Sequence, residues 1–156
     1  ACGGAAMNQC RQSDDMTPSD LTLVANVFVP DLTPVWQECA RVLKPGGRLV
    51  AGYMNPTFFW FDHEECAKTG EWGVKYPLSF SELTSLPPER LAKLVESNEI
   101  LEFGHSLNDQ IGGQLRTGMV VTDLYADDWS DEATPLNHYG PTYIATLARR
   151  KPFTAA

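Results

Sequence analysis

The first third of the chain alternates between continuous apolar runs and one stretch of helical periodicity. Residues 21–25 are apolar and β-branched, which predicts a short strand buried on both faces. Thr33 and Pro34 then open a helix that continues to Leu43, and a Pro-Gly-Gly turn follows. Residues 48–53 are apolar again and predict a second strand. Together these elements predict a βαβ unit, and therefore a parallel pair of strands.

Residues 56–104 are less regular and are predicted to form an insertion. An aromatic cluster at residues 58–61 opens the segment, and a helical apolar stripe follows two prolines at residues 87–97. Residues 99–103 are predicted to form one more short strand. The histidines His63 and His138 lie in polar surroundings, and we expect both side chains to be exposed.

A helix and two strands are predicted after residue 105. Ser106 and Asp109 have the spacing of a capping box at a helix start. Gly112 and Gly113 within this helix cost about 1 kcal/mol each relative to alanine, so we expect a close backbone approach there. Residues 119–125 and 142–149 predict strands, and the acidic loop between them has no helical pattern. These two strands are therefore expected to be antiparallel.

Composition and charge narrow the possible partners of this domain. The chain has 156 residues and a net charge of −8, which argues against nucleic acid and anionic membranes as partners. Its four cysteines form no Cys-x-x-Cys pair, and no histidine cluster has metal-ligand spacing, so no metal site is predicted. Without a signal-peptide pattern or an apolar run of about 20 residues, the expected location is the cytoplasm.

One motif carries a family resemblance. Residues 41–47 read Arg-Val-Leu-Lys-Pro-Gly-Gly between the two strands of the βαβ unit, and residues 102–115 form a second matching segment. The chain thereby resembles class I S-adenosylmethionine (SAM)-dependent methyltransferases, in particular a subgroup of bacterial methyltransferase-like proteins. The resemblance implies an α/β fold with a partial Rossmann-like sheet of about four strands and helices on its faces. On the family's seven-stranded template the strand order is 4-5-7-6, and the last strand is antiparallel.

The resemblance also implies that part of the family fold is missing. The first three strands and the Gly-x-Gly-x-Gly cofactor loop have no counterpart, and Gly3-Gly4 follows no strand that could present such a loop. We therefore expect an irregular segment at residues 1–20, a partial methyltransferase domain at 21–150 and a tail at 151–156. The chain is interpreted as the C-terminal part of an enzyme that binds SAM weakly or not at all on its own. The alternative is a non-catalytic α/β association module.

Cofactor-binding residues follow from the resemblance. The loop after the family's fourth strand passes near the methionine part of SAM. Its counterparts here are Val24, Ala25, Asn26 and Val27. Asn26 is the member with hydrogen-bonding capacity, and its alternative role is that of a turn residue at the strand end.

Candidate substrate contacts follow the second strand. Tyr53 and Asn55 come at its carboxyl end, where open α/β sheets bind ligands. The aromatic residues from Phe58 to Phe61 are candidates for lining an apolar acceptor pocket. The alternatives are a half-buried strand-end tyrosine and a core phenylalanine of the insertion. The expected acceptor is a small molecule.

A second candidate cluster precedes the helix that begins near residue 106. His105 is a candidate catalytic base, because its ordinary pKa suits proton removal near neutral pH. Asp109 and Gln110 are candidate substrate contacts beside it. The alternatives are a structural histidine and a capping carboxylate.

The resemblance has a consequence for assembly. Without its neighbour strand, the apolar run from Leu21 to Ala25 becomes an exposed sheet edge, and such edges pair with other chains. We therefore expect a homodimer through this edge or through the face that the missing half would cover.

Overall fold

The computed structural model describes residues 20–23, 25–129 and 133–151, with backbone alone for residues 20–23. Six strands are present in this part of the chain: β1 (Asp20–Leu23), β2 (Arg48–Met54), β3 (Phe80–Ser81), β4 (Phe103–Gly104), β5 (Met119–Asp127) and β6 (Tyr143–Arg150). The helices are α1 (Thr33–Val42), α2 (His63–Thr69), α3 (Glu82–Ser85), α4 (Pro88–Glu96) and α5 (Gly113–Arg116). Short 3₁₀ segments span Asn26–Phe28, Pro56–Trp60 and Pro135–His138, and a π-helical turn at Asn108–Gly112 leads into α5.

The main sheet has the strand order β1-β2-β6-β5. β1 is parallel to β2, while β6 is antiparallel to both β2 and β5. With β1 as the family's fourth strand, this order is 4-5-7-6 with an antiparallel last strand, so the predicted sheet topology is confirmed. The strand predicted at residues 21–25 begins one residue earlier, at Asp20, and Val24 lies outside the described residues.

One face of the sheet packs against α1 and α5. Alternate residues of β2 point into this core, including Leu49, Ala51 and Tyr53, where they meet Trp36 and Met119. The opposite face is open at Val50, which is 43% exposed, while Met54 at the end of β2 packs against the insertion. The largest apolar cluster therefore lies on a single side of the sheet.

The expected close approach at the glycine pair is present at Gly113. A Cβ atom there would lie 2.2 Å from Cδ1 of Trp36, a side chain that is 1% exposed. The Trp36 indole Nε1 also donates a hydrogen bond to the backbone oxygen of Asp109, at 2.8 Å. The glycine thus lets α5 and the preceding turn lie directly on an indole ring of α1.

Two local predictions differ from the structure. The Thr33 hydroxyl was expected to cap α1, but the N-cap residue is Leu32, and the Thr33 N–H donates a hydrogen bond to Oδ1 of Asp31 at 2.8 Å. His63 begins α2 and is half-buried, with its ring stacked on Phe58 at a centroid distance of 3.8 Å. An aromatic neighbour that no sequence pattern reveals therefore shields a histidine that was expected in solvent, while His138 is exposed as predicted.

Candidate functional site

A cavity of about 470 Å³ opens where the carboxyl ends of β1 and β2 meet. Because the two strands are parallel, the residues that follow them lie at the same sheet edge, where open α/β folds place their ligands. Asn26 and Val27 come from the turn after β1, and Tyr53 and Met54 from the end of β2. Three predicted site residues, Asn26, Val27 and Tyr53, are thereby brought together.

The insertion and the strand pair that ends the chain supply the rest of the wall. Most of these residues are aromatic or acidic: Phe58, Phe59, Phe61, Asp62, His63, Glu64, Tyr76, Phe80, Glu82, Glu102, Trp129 and Tyr143. The sequence indicated the aromatic residues 58–61 as candidates for an acceptor pocket, and Phe58, Phe59 and Phe61 line the cavity. The other wall residues come from segments far apart in the chain, and no sequence pattern indicated them.

Asn26 brings an unused hydrogen-bond acceptor to this cavity. Its side chain is 2% exposed, and Nδ2 donates to Oε1 of Gln110 at 2.6 Å. Its Oδ1 has no hydrogen-bond partner among the described residues. Buried polar atoms are rarely left unpaired, so this oxygen indicates a position where a ligand donor would be stabilised.

Tyr53, which also lines the cavity, has the second unpartnered polar atom, its hydroxyl. The residue is 4% exposed, and within the described chain its oxygen makes no hydrogen bond of ordinary geometry. The nearby Thr146 hydroxyl is already paired with Gln114. Burial raises the pKa of Tyr53, which Thr146 partly offsets, so the phenol stays protonated and can donate to a ligand.

A buried polar chain holds Asn26 in place. Gln110, to which Asn26 donates, lies one helical turn before Gln114, whose Nε2 donates to the Gln110 backbone oxygen at 3.2 Å and to the Thr146 hydroxyl at 3.0 Å. Gln110 and Gln114 are buried. The predicted substrate contact Gln110 therefore touches the cavity residue Asn26 and does not line the cavity itself.

The structure places His105 beneath the turn that carries Asn26. Its Nε2 lies 3.1 Å from the backbone oxygen of Asn26 and 2.7 Å from that of Val29. Both partners are acceptors, so Nε2 carries a hydrogen and donates a shared hydrogen bond to the two oxygens. His105 lines a separate cavity together with Asp109, and the expected capping box is present, since the Asp109 N–H donates to the Ser106 hydroxyl.

The remaining predicted residues lie around the cavity edge. Asn55 caps the Pro56–Trp60 segment, and its Nδ2 donates to the Pro141 backbone oxygen at 2.8 Å. It lines a neighbouring cavity, which shares Phe58 and Phe61 with the main one. Ala25 is exposed and is not among the cavity residues.

Asp62 is an ionic centre that sequence reasoning missed. Its Oδ2 accepts hydrogen bonds from Lys75 at 2.8 Å, the Tyr76 hydroxyl at 2.8 Å and Arg90 at 2.6 Å, and Oδ1 accepts one from the Glu65 N–H. Burial alone would raise the pKa of Asp62, but these donors outweigh burial and hold it well below its usual range. The cluster ties α2 and α4 of the insertion together at the cavity wall.

Neither a metal cluster nor a membrane-spanning helix accompanies this cavity in the described part of the chain. Within the described ranges, no three His, Cys, Asp or Glu side chains come together as a possible metal site. Nor does any described helix have the length and apolar character needed to cross a membrane.

No family model matches the chain, but individual proteins do. The chain is 46% identical over 123 residues to a Bacillus subtilis (strain 168) protein named uncharacterized methyltransferase YbaJ. The match includes 79% of this chain and 47% of that relative. The chain thus spans about half the length of the curated relative that it matches.

Solved structures of methyltransferases share the fold. The SAM-dependent methyltransferase from Mesorhizobium loti superposes with a TM-score of 0.56 at 15% identity, over 85% of this chain and 61% of that one. A protein from Listeria monocytogenes described as a putative SAM-dependent methyltransferase gives the same TM-score and coverage at 12% identity. A Methanosarcina mazei structure described as SAM-dependent methyltransferases gives 0.53 at 13% identity, over 86% and 60%. These similarities show the fold and confirm the resemblance on which the sequence expectations rest.

Proposed function

We propose that this chain is the C-terminal part of a SAM-dependent methyltransferase acting on a small molecule. Its partial class I methyltransferase fold and its sequence resemblance to that family support the proposal. One observation carries the proposal. Asn26 and Tyr53 line the cavity at the carboxyl ends of the parallel strands, and each has a buried polar side-chain atom without a partner in the described chain. A ligand-binding role accounts for these atoms, whereas an association module would leave them unexplained.

The residues after β1 fit the cofactor that the fold implies. SAM has an ammonium group, and the unpaired Asn26 Oδ1 is an acceptor suited to such a donor. Asn26 and Val27 would therefore face the cofactor, with Ala25 beside them, and Val24 belongs to the same proposal. When bound, SAM supplies the methyl group. The chain's own residues position the acceptor and exclude water from the reacting atoms.

Tyr53 and Phe58 form the proposed acceptor side of the cavity. The Tyr53 hydroxyl donates a hydrogen bond that orients the acceptor, and Phe58 covers its apolar part. His105 fixes the turn of Asn26 through Nε2, so a role as base would fall to its Nδ1. Asn55, Asp109 and Gln110 act indirectly in this proposal, because they hold the neighbouring loops and helix in position.

We expect this chain alone to bind SAM weakly or not at all, because its sequence contains no Gly-x-Gly-x-Gly loop. The test fuses the unmatched portion of the Bacillus relative ahead of residue 20 and measures SAM binding by calorimetry and methyl transfer by S-adenosylhomocysteine release. The fused protein should bind SAM and form product with a pool of small-molecule acceptors.

Asn26→Leu provides the matched variant, because leucine has a similar volume and no acceptor atom. It should weaken SAM binding by the fused protein roughly tenfold, which corresponds to the loss of one hydrogen bond to a charged group. A fused protein that folds, by circular dichroism, yet binds no SAM would refute the proposed function. A low micromolar dissociation constant for the isolated chain would refute its incompleteness.

A homodimer and a cytoplasmic location are further parts of the proposal. β1 is an edge strand of the described sheet, and Val50 on the open face is a second candidate contact. Light scattering at micromolar concentration should give the mass of a dimer. Val50→Lys should convert the protein to monomer if the face is the interface, and should leave the dimer intact if the β1 edge is. A monodisperse wild-type monomer would contradict both.

A further inference from the structure

Two glutamates contact each other at the wall of the cavity. Glu82 begins α3 and Glu102 precedes β4, and both line the cavity. Glu82 Oε2 accepts a hydrogen bond from the backbone N–H of Glu102 at 2.8 Å. This contact holds the Glu82 carboxylate beside the backbone of Glu102, near enough for its negative charge to act on the Glu102 carboxylate.

No positive side chain of the described residues neutralises this pair. Arg90 is the one arginine at the cavity, and it is paired with Asp62 at 2.6 Å and with Glu64 at 3.1 Å. The Glu102 carboxylate makes no hydrogen bond or ion pair in the described chain, although the residue is only half exposed. Burial and the neighbouring Glu82 raise the pKa of Glu102, as expected for a carboxylate that lacks a cation.

Aromatic rings surround the same space. Trp129 and Tyr143 contact each other at a centroid distance of 5.0 Å, and the charge of Glu102 acts on the Tyr143 hydroxyl. Tyr76 and Phe80 form a second pair at 5.0 Å. Aromatic faces stabilise organic cations, and carboxylates beside them add a direct ionic contact.

We propose that the cavity selects a small organic molecule through a protonated amine held by Glu102 and Glu82 against the aromatic wall. This inference rests on the proposed function and specifies its acceptor as a molecule with an apolar body and an ammonium group, which serves for binding. Asn26 and Tyr53 line the same cavity, and their unpartnered buried polar atoms are independent signs of a ligand beside it. Carboxylate or phosphate ligands would be repelled by the Glu82–Glu102 pair.

The test compares phenethylammonium with 2-phenylethanol, which has the same carbon skeleton and no charge. Binding to the full chain is measured by calorimetry and by ¹⁵N chemical shifts at neutral pH and fixed salt, without SAM. The ammonium should bind about tenfold more tightly than the alcohol. The variant Glu102→Gln should lose this preference, while Glu96→Gln, the same change at an exposed glutamate of α4, should retain it.

Equal affinity for the two probes would overturn the inference, and so would an unchanged preference in Glu102→Gln. The wild-type comparison remains decisive if that variant fails to fold. The outcome is independent of the proposed function, because the assay contains no cofactor. Amine binding without methyl transfer in the fused protein would refute the methyltransferase proposal alone, and transfer to neutral acceptors without amine binding would refute this inference alone.

Discussion

Replacing Gly113 with alanine is expected to destabilise the protein by about 3 kcal/mol, the upper range for overpacking a filled core. The added Cβ would lie 2.2 Å from Trp36 Cδ1 and 2.5 Å from its Nε1. Trp36 is buried and its indole is hydrogen-bonded to Asp109, so the ring has little room to move. The backbone at Gly113 is helical, with φ −59° and ψ −47°, so the penalty comes from this contact and not from the backbone.

Gly112→Ala is the matched control for this experiment. Its backbone is also helical, and the new Cβ would meet only the ends of Arg116 and Asn108, two exposed side chains that can turn away. We expect it to be neutral or to stabilise the protein by up to about 1 kcal/mol. Urea unfolding followed by circular dichroism measures both variants. Equal stability of the two would show that α5 does not lie against Trp36 as described.

Asp62→Asn is the second substitution with a large expected effect, a loss of about 3 kcal/mol at neutral pH. The side chain of Asp62 is 2% exposed and accepts hydrogen bonds from Lys75, Tyr76 and Arg90. Asparagine has nearly the same shape, but its amide lacks the negative charge that stabilises both cations. Unfolding of the insertion should therefore begin at a lower urea concentration than in the wild type.

The effect of this substitution should depend on pH in a defined direction. The folded-state pKa of Asp62 is held below its unfolded value of about 3.9, so its contribution is fully present above that value. The contribution is lost as the pH falls through this range towards the folded-state pKa. The stability difference between wild type and Asp62→Asn should thus be constant from pH 6 to 8 and shrink below about pH 4.

Glu65→Gln serves as the control, since this carboxylate also pairs with Lys75 but is 58% exposed. Exposed ion pairs contribute about 0–1 kcal/mol, so this variant should remain close to wild type. A difference for Asp62→Asn that persists undiminished at low pH would contradict an ionic origin.

Sequence patterns predicted the main sheet well, because its signals are local. The strand at residues 48–53 is found at Arg48–Met54, since an apolar run after a Gly turn specifies both its start and its period. Gly113 was expected to meet a neighbour, but the sequence could not identify Trp36. That contact depends on how α1 and α5 pack together, which no pattern within either helix encodes.

The candidate site was only partly predictable. Asn26 and Tyr53 were found because they follow strands, and the fold places strand ends at one edge. Glu102 and Trp129 were missed because they come from irregular segments that only the folded chain brings together. The partners of Asp62 were missed for the same reason, since no spacing in the sequence indicates which cations a buried carboxylate will contact.

The position of β6 between β2 and β5 affects the order in which the protein can fold during synthesis. Arg48 of β2 is opposite Arg149 of β6, so about a hundred residues must be made before β2 gains this neighbour. At ribosomal rates this delay is roughly 5–20 s. Trp129 and Tyr143, which close the cavity, emerge in the same late interval. A ligand that needs these residues therefore cannot stabilise the βαβ unit while the chain is being made. It can stabilise the fold only after residue 143 has been added.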